Sequence, residues 1–490
     1  MNIGDLLSGP AVIRSEHPAL IFEGRIYSYA ELDRLTNRFA TALRAAGVQP
    51  GRVIGLVLES GPELVIAALG AFKAGVVPNV VNAMLRPEEV RTVVADSGAV
   101  WLLTDFERQK NLESVQEGLG VQRIIAVDTE FESLLESGQD DFTTVDLTPN
   151  TVACLLYTSG TTGHPKGVML THLNIIDNAN QFGRIHFGPD DRLLVGAPLF
   201  HCWGLINGLL GIFSVGGTAV IVRRCKIEPT LELIEAVRPS QFLAVPAIIN
   251  QMTRSPVRAR HDLSSLRVIH SAAAPMPAEL ISALQDDWKV GYAESYGLTE
   301  VSPVITTTPP EEMQVGSCGR AMGDTELKVV DPEGRTLDVG EVGELWARGT
   351  AVSAGYYKRP EATADVFVAD GWFRTGDIVR MDAEGYVFIV DRAKDMINVG
   401  GEKVYPRDVE EVLFRHPAVG DAVVVAAPDP ILGEVPRAVV ALKPGAKVSA
   451  NELVAFLRPV LATFKLPRHI EFVTAVPRSA SGKALRRLLR

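Results

Sequence analysis

Paired cysteines are missing from this chain. Its four cysteines, Cys154, Cys202, Cys225 and Cys318, lie far apart along 490 residues and form no CxxC pair. That spacing argues against a structural zinc site and fits a protein kept reduced in the cytoplasm. The opening MNIGDLLSGP lacks a basic segment followed by an apolar stretch, so no secretory signal is read there. Positive charge is outnumbered, 48 Lys and Arg against 59 Asp and Glu. A net charge of −11 argues against a general affinity for nucleic acid or anionic membrane. The short basic run KALRRLLR at the C-terminus reads as a solvated helix face. No short-period repeat is present.

One stretch, Trp203 to Val222, carries no charge and is long enough to cross a bilayer. Glycines interrupt it, and Gly216-Gly217 reads as a turn. The segment therefore predicts a buried helix, a turn and a short strand TAVIV. The chain is read as soluble, without a membrane span.

What is present is a large apolar inventory: 47% hydrophobic residues against 22% charged ones, over a length that calls for two or more domains. Short β-branched runs alternate with helical stretches from the N-terminus to about Asp391. VIGLVLES, GPELVIAALGAFKAG and VVPNVV follow one another, while RLLVGAPLF and LRVIHSAAAP each lead into a helix. The pattern predicts an α/β fold with packed, mostly parallel sheets. From Asp391 a second unit begins. It holds helices over 406–415 and 450–461 and strands at DAVVVAAP, PRAVVALKP and HIEFVTAV, enough for a small α+β domain. The expected domains are 1–390 and 391–490.

The sharpest motif is YTSGTTGHPKG, residues 157–167. It follows an apolar run, Val152 to Leu156, that reads as a buried strand. Thr158, Ser159, Thr161 and Thr162 alternate with Gly160 and Gly163, and Lys166 and Gly167 close the loop. Glycines let backbone N–H groups approach phosphate oxygens, while the hydroxyls and Lys166 add donors and charge. It is not a Walker A loop, because no Ser or Thr follows the lysine to bind magnesium. A helix is expected from Thr171, a good N-cap, giving the order strand, phosphate loop, helix.

Four further clusters accompany it. ESYGLTE sets Ser295, Tyr296, Gly297, Thr299 and Glu300 at the end of a strand; Thr299 can donate to a phosphate, and Glu300 is a hard ligand for a nucleotide-bound magnesium. FRTGD offers Asp377, suited to ribose hydroxyls. VDRAKD carries Asp391, Arg392 and Lys394, and SGKALRR carries Lys483. Each is weak alone; five in this order make a strong joint signal.

With LFHCWG added, these motifs resemble the adenylate-forming superfamily: acyl-CoA synthetases, adenylation domains of peptide synthetases and firefly-type luciferases. The resemblance spans nearly the whole chain. It implies a large N-terminal domain and a small mobile C-terminal one, with ATP, Mg2+ and coenzyme A as reactants. Attack of a carboxylate on the α-phosphorus of ATP would release pyrophosphate and form an acyl adenylate, and the acyl group would then pass to coenzyme A.

By the same resemblance Lys483 supplies charge to the adenylation transition state, assisted by Thr299 and the phosphate loop. Asp377 and Arg392 hold the ribose, and Ser271, Ala272, Ala273, Ala274 and Pro275 flank the adenine. Asp391 is the hinge, and Gly400 and Gly401 come to the coenzyme A side after rotation. His201 stands at the pocket mouth in a positioning role, and Trp203 and Asn207 are expected to line the acyl pocket.

An apolar set (Trp203, Leu205, Ile206) favours a fatty (medium- or long-chain) or aromatic carboxylic acid. An amino-acid-activating domain would want an aspartate where His201 follows Phe200. A stand-alone ligase loading a carrier protein is the alternative reading, and a non-catalytic nucleotide-binding scaffold is the rival of another class. The sequence is equally compatible with a monomer and a homo-oligomer.

Overall fold

The run Val53–Val57 is buried at every position, as a strand covered by helices on both faces must be. It sits inside a six-stranded sheet in the computed structural model, which describes residues 1–158, 165–274, 276–392, 395–399, 402–430, 432–478 and 484–489. The order in that sheet is Arg123–Ala126, Trp101–Thr104, Val53–Val57, Val77–Val80, Val152–Thr158 and Lys166–Thr171. All neighbours are parallel except the last pair.

A nine-stranded sheet carries the second half of the large domain. Its parallel centre runs Gly291–Gly297, Val268–Ser271, Gln241–Leu243, Arg192–Val195, Thr218–Ile221 and Pro18–Phe22. Antiparallel strands, Val304–Thr307 among them, close its edges. The helices Tyr29–Ala45, Pro62–Lys73 and His172–His186 fill the space between the two sheets. One apolar core passes from Leu56 and Leu156 through Leu43, Phe72 and Phe182 to Leu193 and Leu243.

A third sheet departs from the parallel pattern that the alternation predicts. Glu326–Val330, Val342–Arg348, Phe373–Met381 and Val387–Arg392 form an antiparallel meander. Every second residue of Val342–Arg348 is buried and the others are not, as one covered and one wet face require.

The chain leaves this meander at Arg392 and enters the last sheet at Ile397. There Glu402–Val404, Ile397–Val399, Gly433–Leu442, Val419–Asp429 and His469–Val473 associate. Helices Pro406–Phe414 and Ala450–Leu457 cover them around a separate core of Val409, Leu413, Val424, Val440 and Leu453. The result is a large mixed α/β domain followed by a smaller α+β one.

The uncharged stretch takes the expected form. Trp203–Leu210 winds with wide i→i+5 turns, Gly211–Ser214 continues as α-helix, Gly216 turns at φ 76°, and Thr218–Ile221 is a strand. Among the described residues no helix is long and apolar enough to cross a membrane.

Candidate active site

The phosphate motif sits on a hairpin. Val152–Thr158 and Lys166–Thr171 run antiparallel, with Tyr157 opposite Gly167 and Thr158 opposite Lys166. The expected order of strand, loop and helix therefore needs correction, because a second strand lies between loop and helix. Val168 and Leu170 are fully buried, and this alternation holds the chain extended after the glycine. Helix His172–His186 then starts where expected. The Thr171 hydroxyl accepts from Asn174 N–H at 3.2 Å, and the Asn174 side chain accepts from Thr171 N–H at 3.0 Å. Ser159, Gly160, Thr161, Thr162 and Gly163 lie outside the described residues.

Lys166 is tied to the ESYGLTE cluster through a residue that carries no sequence signal. Its ammonium lies 4.9 Å from the Tyr356 ring centroid, and the Tyr356 hydroxyl donates to Glu300 Oε1 at 2.8 Å. Gly355–Tyr357 runs beside the hairpin: Met169 N–H donates to the Gly355 carbonyl and Tyr357 N–H to that of Gly167. Burial and the neighbouring carboxylate raise the Tyr356 phenol, so it stays a donor at neutral pH. Glu300, 9% exposed, is thereby oriented at the site. Among the described residues no three His, Cys, Asp or Glu side chains converge to hold a metal ion. One buried carboxylate suits magnesium carried on nucleotide phosphates, which retains waters and takes few protein ligands.

LFHCWG arrives from the other side. Cys202 Sγ lies 3.5 Å from Thr299 Oγ1, and burial pushes the thiol up to about 11. His201 packs against Phe200, and its Nε2 is buried with no partner among the described residues. Burial lowers its pKa to about 4, so at neutral pH it is an uncharged ring. Trp203 is buried nearby. Asn207 is wholly buried and donates to Asn178 Oδ1 at 2.9 Å, while Asn178 donates to the Val304 carbonyl at 2.7 Å. As placed, Asn207 braces the wide-turn helix against the sheet.

Strand Gly291–Gly297 joins the expected adenine and ribose groups. Ser271 pairs in register with Glu294. Beyond it Ala272 is buried and Ala273 adopts φ 71°, a conformation that its β-carbon disfavours and that recurs where backbone is held for a ligand. Pro275 lies outside the described residues. Ser295 Oγ is 2.9 Å from Thr307 Oγ1. The Tyr296 hydroxyl donates to Asp377 Oδ2 at 2.7 Å, so FRTGD meets ESYGLTE directly. Asp377 faces Arg392 across the meander, and Ile378 faces Asp391 on the next rung. The Asp391 carboxylate accepts from Arg407 N–H, in the first turn of Pro406–Phe414, at 2.9 Å. Gly400, Gly401 and Lys483 lie outside the described residues.

Of the site residues named above, none lines a cavity of about 650 Å3 beside Arg108, and only Thr307 reaches a second of about 710 Å3. The chemistry argues for the ESYGLTE cleft over either of them. The first cavity mixes Arg108, Arg223 and Arg224 with five carboxylates and has no phosphate-binding backbone loop.

Glu294 has no counterpart among the residues singled out from sequence. Burial lifts its carboxyl to about 7, against the opposing pull of the Tyr292 hydroxyl 3.0 Å away. Between the ordinary value of 4.5 and about 7 the folded chain holds this proton more firmly than the unfolded chain. Its contribution to stability therefore falls as pH rises through that window. Glu294→Gln should flatten the decline, gaining on the order of 1–3 kcal/mol over the parent at pH 8 relative to pH 5. Denaturant midpoints of both proteins across that range would show it; parallel curves would reject the assignment.

Against this geometry, two family models match the chain: AMP-binding enzyme over residues 11–357, and AMP-binding enzyme C-terminal domain over residues 408–483. The 4-coumarate-CoA ligase 1 of Narcissus pseudonarcissus is 33% identical over 501 residues, covering 97% of this chain and 91% of that protein. A feruloyl-CoA synthase of Amycolatopsis sp is 35% identical over 466 residues, covering 94% and 93%. The solved structure of an anthranilate CoA ligase in complex with anthranoyl-AMP superposes with a TM-score of 0.95 at 29% identity, covering 100% and 96%. The chain belongs to the AMP-binding enzyme family. Within it, the chain falls in the AMP-forming acyl-CoA synthetase branch, the acid–thiol ligases, whose reactants are ATP with Mg2+ and coenzyme A.

Proposed function

We propose that this ligase activates an aromatic carboxylic acid. A carboxylate oxygen bonds to the α-phosphorus of ATP and pyrophosphate leaves. The coenzyme A thiol then gives up its proton and attacks the acyl carbon, and AMP departs. Tyr296 and Asp377 clasp the ribose with Arg392, while Ser271 to Pro275 flank the adenine. Thr158, the Ser159–Gly163 loop, Lys166 and Thr299 surround the phosphates, and Glu300 would hold their magnesium. Lys483 delivers charge at the reacting phosphorus. Domains of residues 1–390 and 391–490 turn about Asp391, bringing Gly400 and Gly401 to the thiol.

The observation that carries the site is the chain of contacts Lys166, Tyr356, Glu300, which joins phosphate loop to metal carboxylate through one phenol. The aromatic assignment is supported by the acids of the relatives above, coumarate, ferulate and anthranilate. The thiols Cys154, Cys202, Cys225 and Cys318 fit work in the reducing cytoplasm.

Pyrophosphate release and thioester yield across a panel of acids test the reading. Hydroxycinnamic and benzoic acids should exceed medium- and long-chain fatty acids in kcat/KM by roughly 10–200-fold, the range that pocket shape alone supplies. A fatty acid as the best substrate would replace the aromatic assignment. Turnover with amino acids alone, or transfer only to a carrier-protein thiol, would replace the coenzyme A ligase itself.

A further inference from the structure

The C-terminal segment is fastened at both feet. Arg478 and Ala484 pair as an antiparallel bridge, and Leu485 N–H donates to the Pro477 carbonyl at 2.9 Å. Five residues, Ser479 to Lys483, connect the two sides of this neck. On one side Arg478 forks onto Asp421 at 2.9 and 2.6 Å. On the other, Arg486 reaches Glu410 at 2.7 and 3.0 Å and Asp395 at 3.3 Å. The second set is largely shielded, with Arg486, Glu410 and Asp395 side chains 21%, 12% and 10% exposed.

The location of the Arg486 set matters more than its strength. Glu410 stands on helix Pro406–Phe414, one turn beyond Arg407, whose N–H is bound by Asp391. Asp395 follows Asp391 by four residues. Glu410 Oε1 also accepts from Val424 N–H at 2.7 Å, which holds the carboxylate to the small sheet. The junction and the tail are thus pinned to the same helix, and the Arg486 guanidinium touches one acid of the junction, Asp395, and one of the helix, Glu410. An ammonium in place of that guanidinium would keep the charge but lose the planar fork that serves two carboxylates at once.

We propose that Arg486 is a positioning residue for adenylation: with Glu410 and Asp395 it fixes the neck of the Lys483 segment to the junction helix. The neck residues Arg478 and Ala484 then move with the helix that Asp391 caps, and the segment ending in Lys483 is carried from that neck. The proposal rests on the role given to Lys483 above.

The full-length variants Arg486→Lys, Glu410→Gln and Lys483→Ala provide the test, with ferulate and ATP for pyrophosphate release and synthetic feruloyl adenylate with coenzyme A for the second half. Arg486→Lys should lower the kcat of adenylation by about 10–10²-fold, the effect of displacing a reacting group by about an ångström, with KM for ATP little changed. Thioester formation from supplied adenylate should stay within about 2-fold of the parent, since the anchored group acts in the first half only. Glu410→Gln should follow the same split, covering the case in which the arginine variant does not fold. Equal loss in both halves would mark a merely structural role. Unchanged adenylation in Arg486→Lys beside a disabled Lys483→Ala would overturn the anchor alone. Adenylation surviving Lys483→Ala would remove the lysine's role and the anchor together.

Discussion

Lys483→Ala should lower acyl adenylate formation by roughly 10²–10³-fold while sparing thioester formation from supplied adenylate, because a preorganised charge at a developing oxyanion is worth that much in a shielded site. As carboxylate and leaving pyrophosphate share the α-phosphorus, negative charge builds on its oxygens. Lys166 and Thr299 are proposed to surround the phosphates, and Lys483 is the cation proposed to meet the reacting phosphorus. In the second half, charge develops on an acyl oxygen and departs with AMP, a different demand. Single-turnover pyrophosphate release, set against thioester formation from synthetic adenylate, separates the two. Loss in both halves to the same degree would end the division of labour.

Gly297→Ala should be nearly as damaging, for a steric reason. A β-carbon at position 297 would lie 1.7 Å from the Pro303 carbonyl oxygen, an approach that no rotamer relieves because both partners are backbone. Either the strand carrying Tyr296 or the segment leading to Val304 must move. Tyr296 holds Asp377, and Thr299 and Glu300 follow within three residues, so a shift of about 1 Å would misplace the proposed ribose and phosphate contacts together and should cost about 10²-fold in kcat/KM for ATP. The overpacking should also lower stability by about 1–3 kcal/mol. Wild-type ATP kinetics in a variant of wild-type melting temperature would contradict both expectations.

The parallel strands were legible because they are continuous apolar runs: Val53–Val57 and Val152–Leu156 can only be covered on both faces. The N-cap at Thr171 was legible because an extended hydroxyl residue before an apolar-periodic stretch has few other uses. The strand Lys166–Thr171 was not, since its Lys-Gly start belongs to the phosphate motif by composition and only Val168 and Leu170 carry its alternation. The antiparallel meander escaped for a related reason. Its wet faces carry Arg, Glu and Lys, Arg374, Arg380, Glu344 and Lys328 among them, so no continuous apolar run marks the strands, and FRTGD lies within the strand Phe373–Met381.

Site residues joined through tertiary contacts alone were hidden. Tyr356 stands 56 residues from Glu300 in a GYYKRP stretch without chemical distinction, and Arg407 and Arg486 look like ordinary surface cations. Only their carboxylate partners, brought from other elements, give them a role. Glu294 stood in plain view within ESYGLTE, but its burial follows from the parallel neighbour Val268–Ser271, which a single strand cannot reveal.

The ladder between Phe373–Met381 and Val387–Arg392 places the proposed pivot and the proposed sugar clasp on adjacent rungs, Ile378 with Asp391 and Asp377 with Arg392. Swivelling of the small lobe about that pivot would then be felt at the proposed clasp. Coupling of that kind is reciprocal: whichever orientation holds AMP less tightly is also the one that bound AMP disfavours. Nucleotide discharge and lobe orientation would be one thermodynamic event seen from two ends.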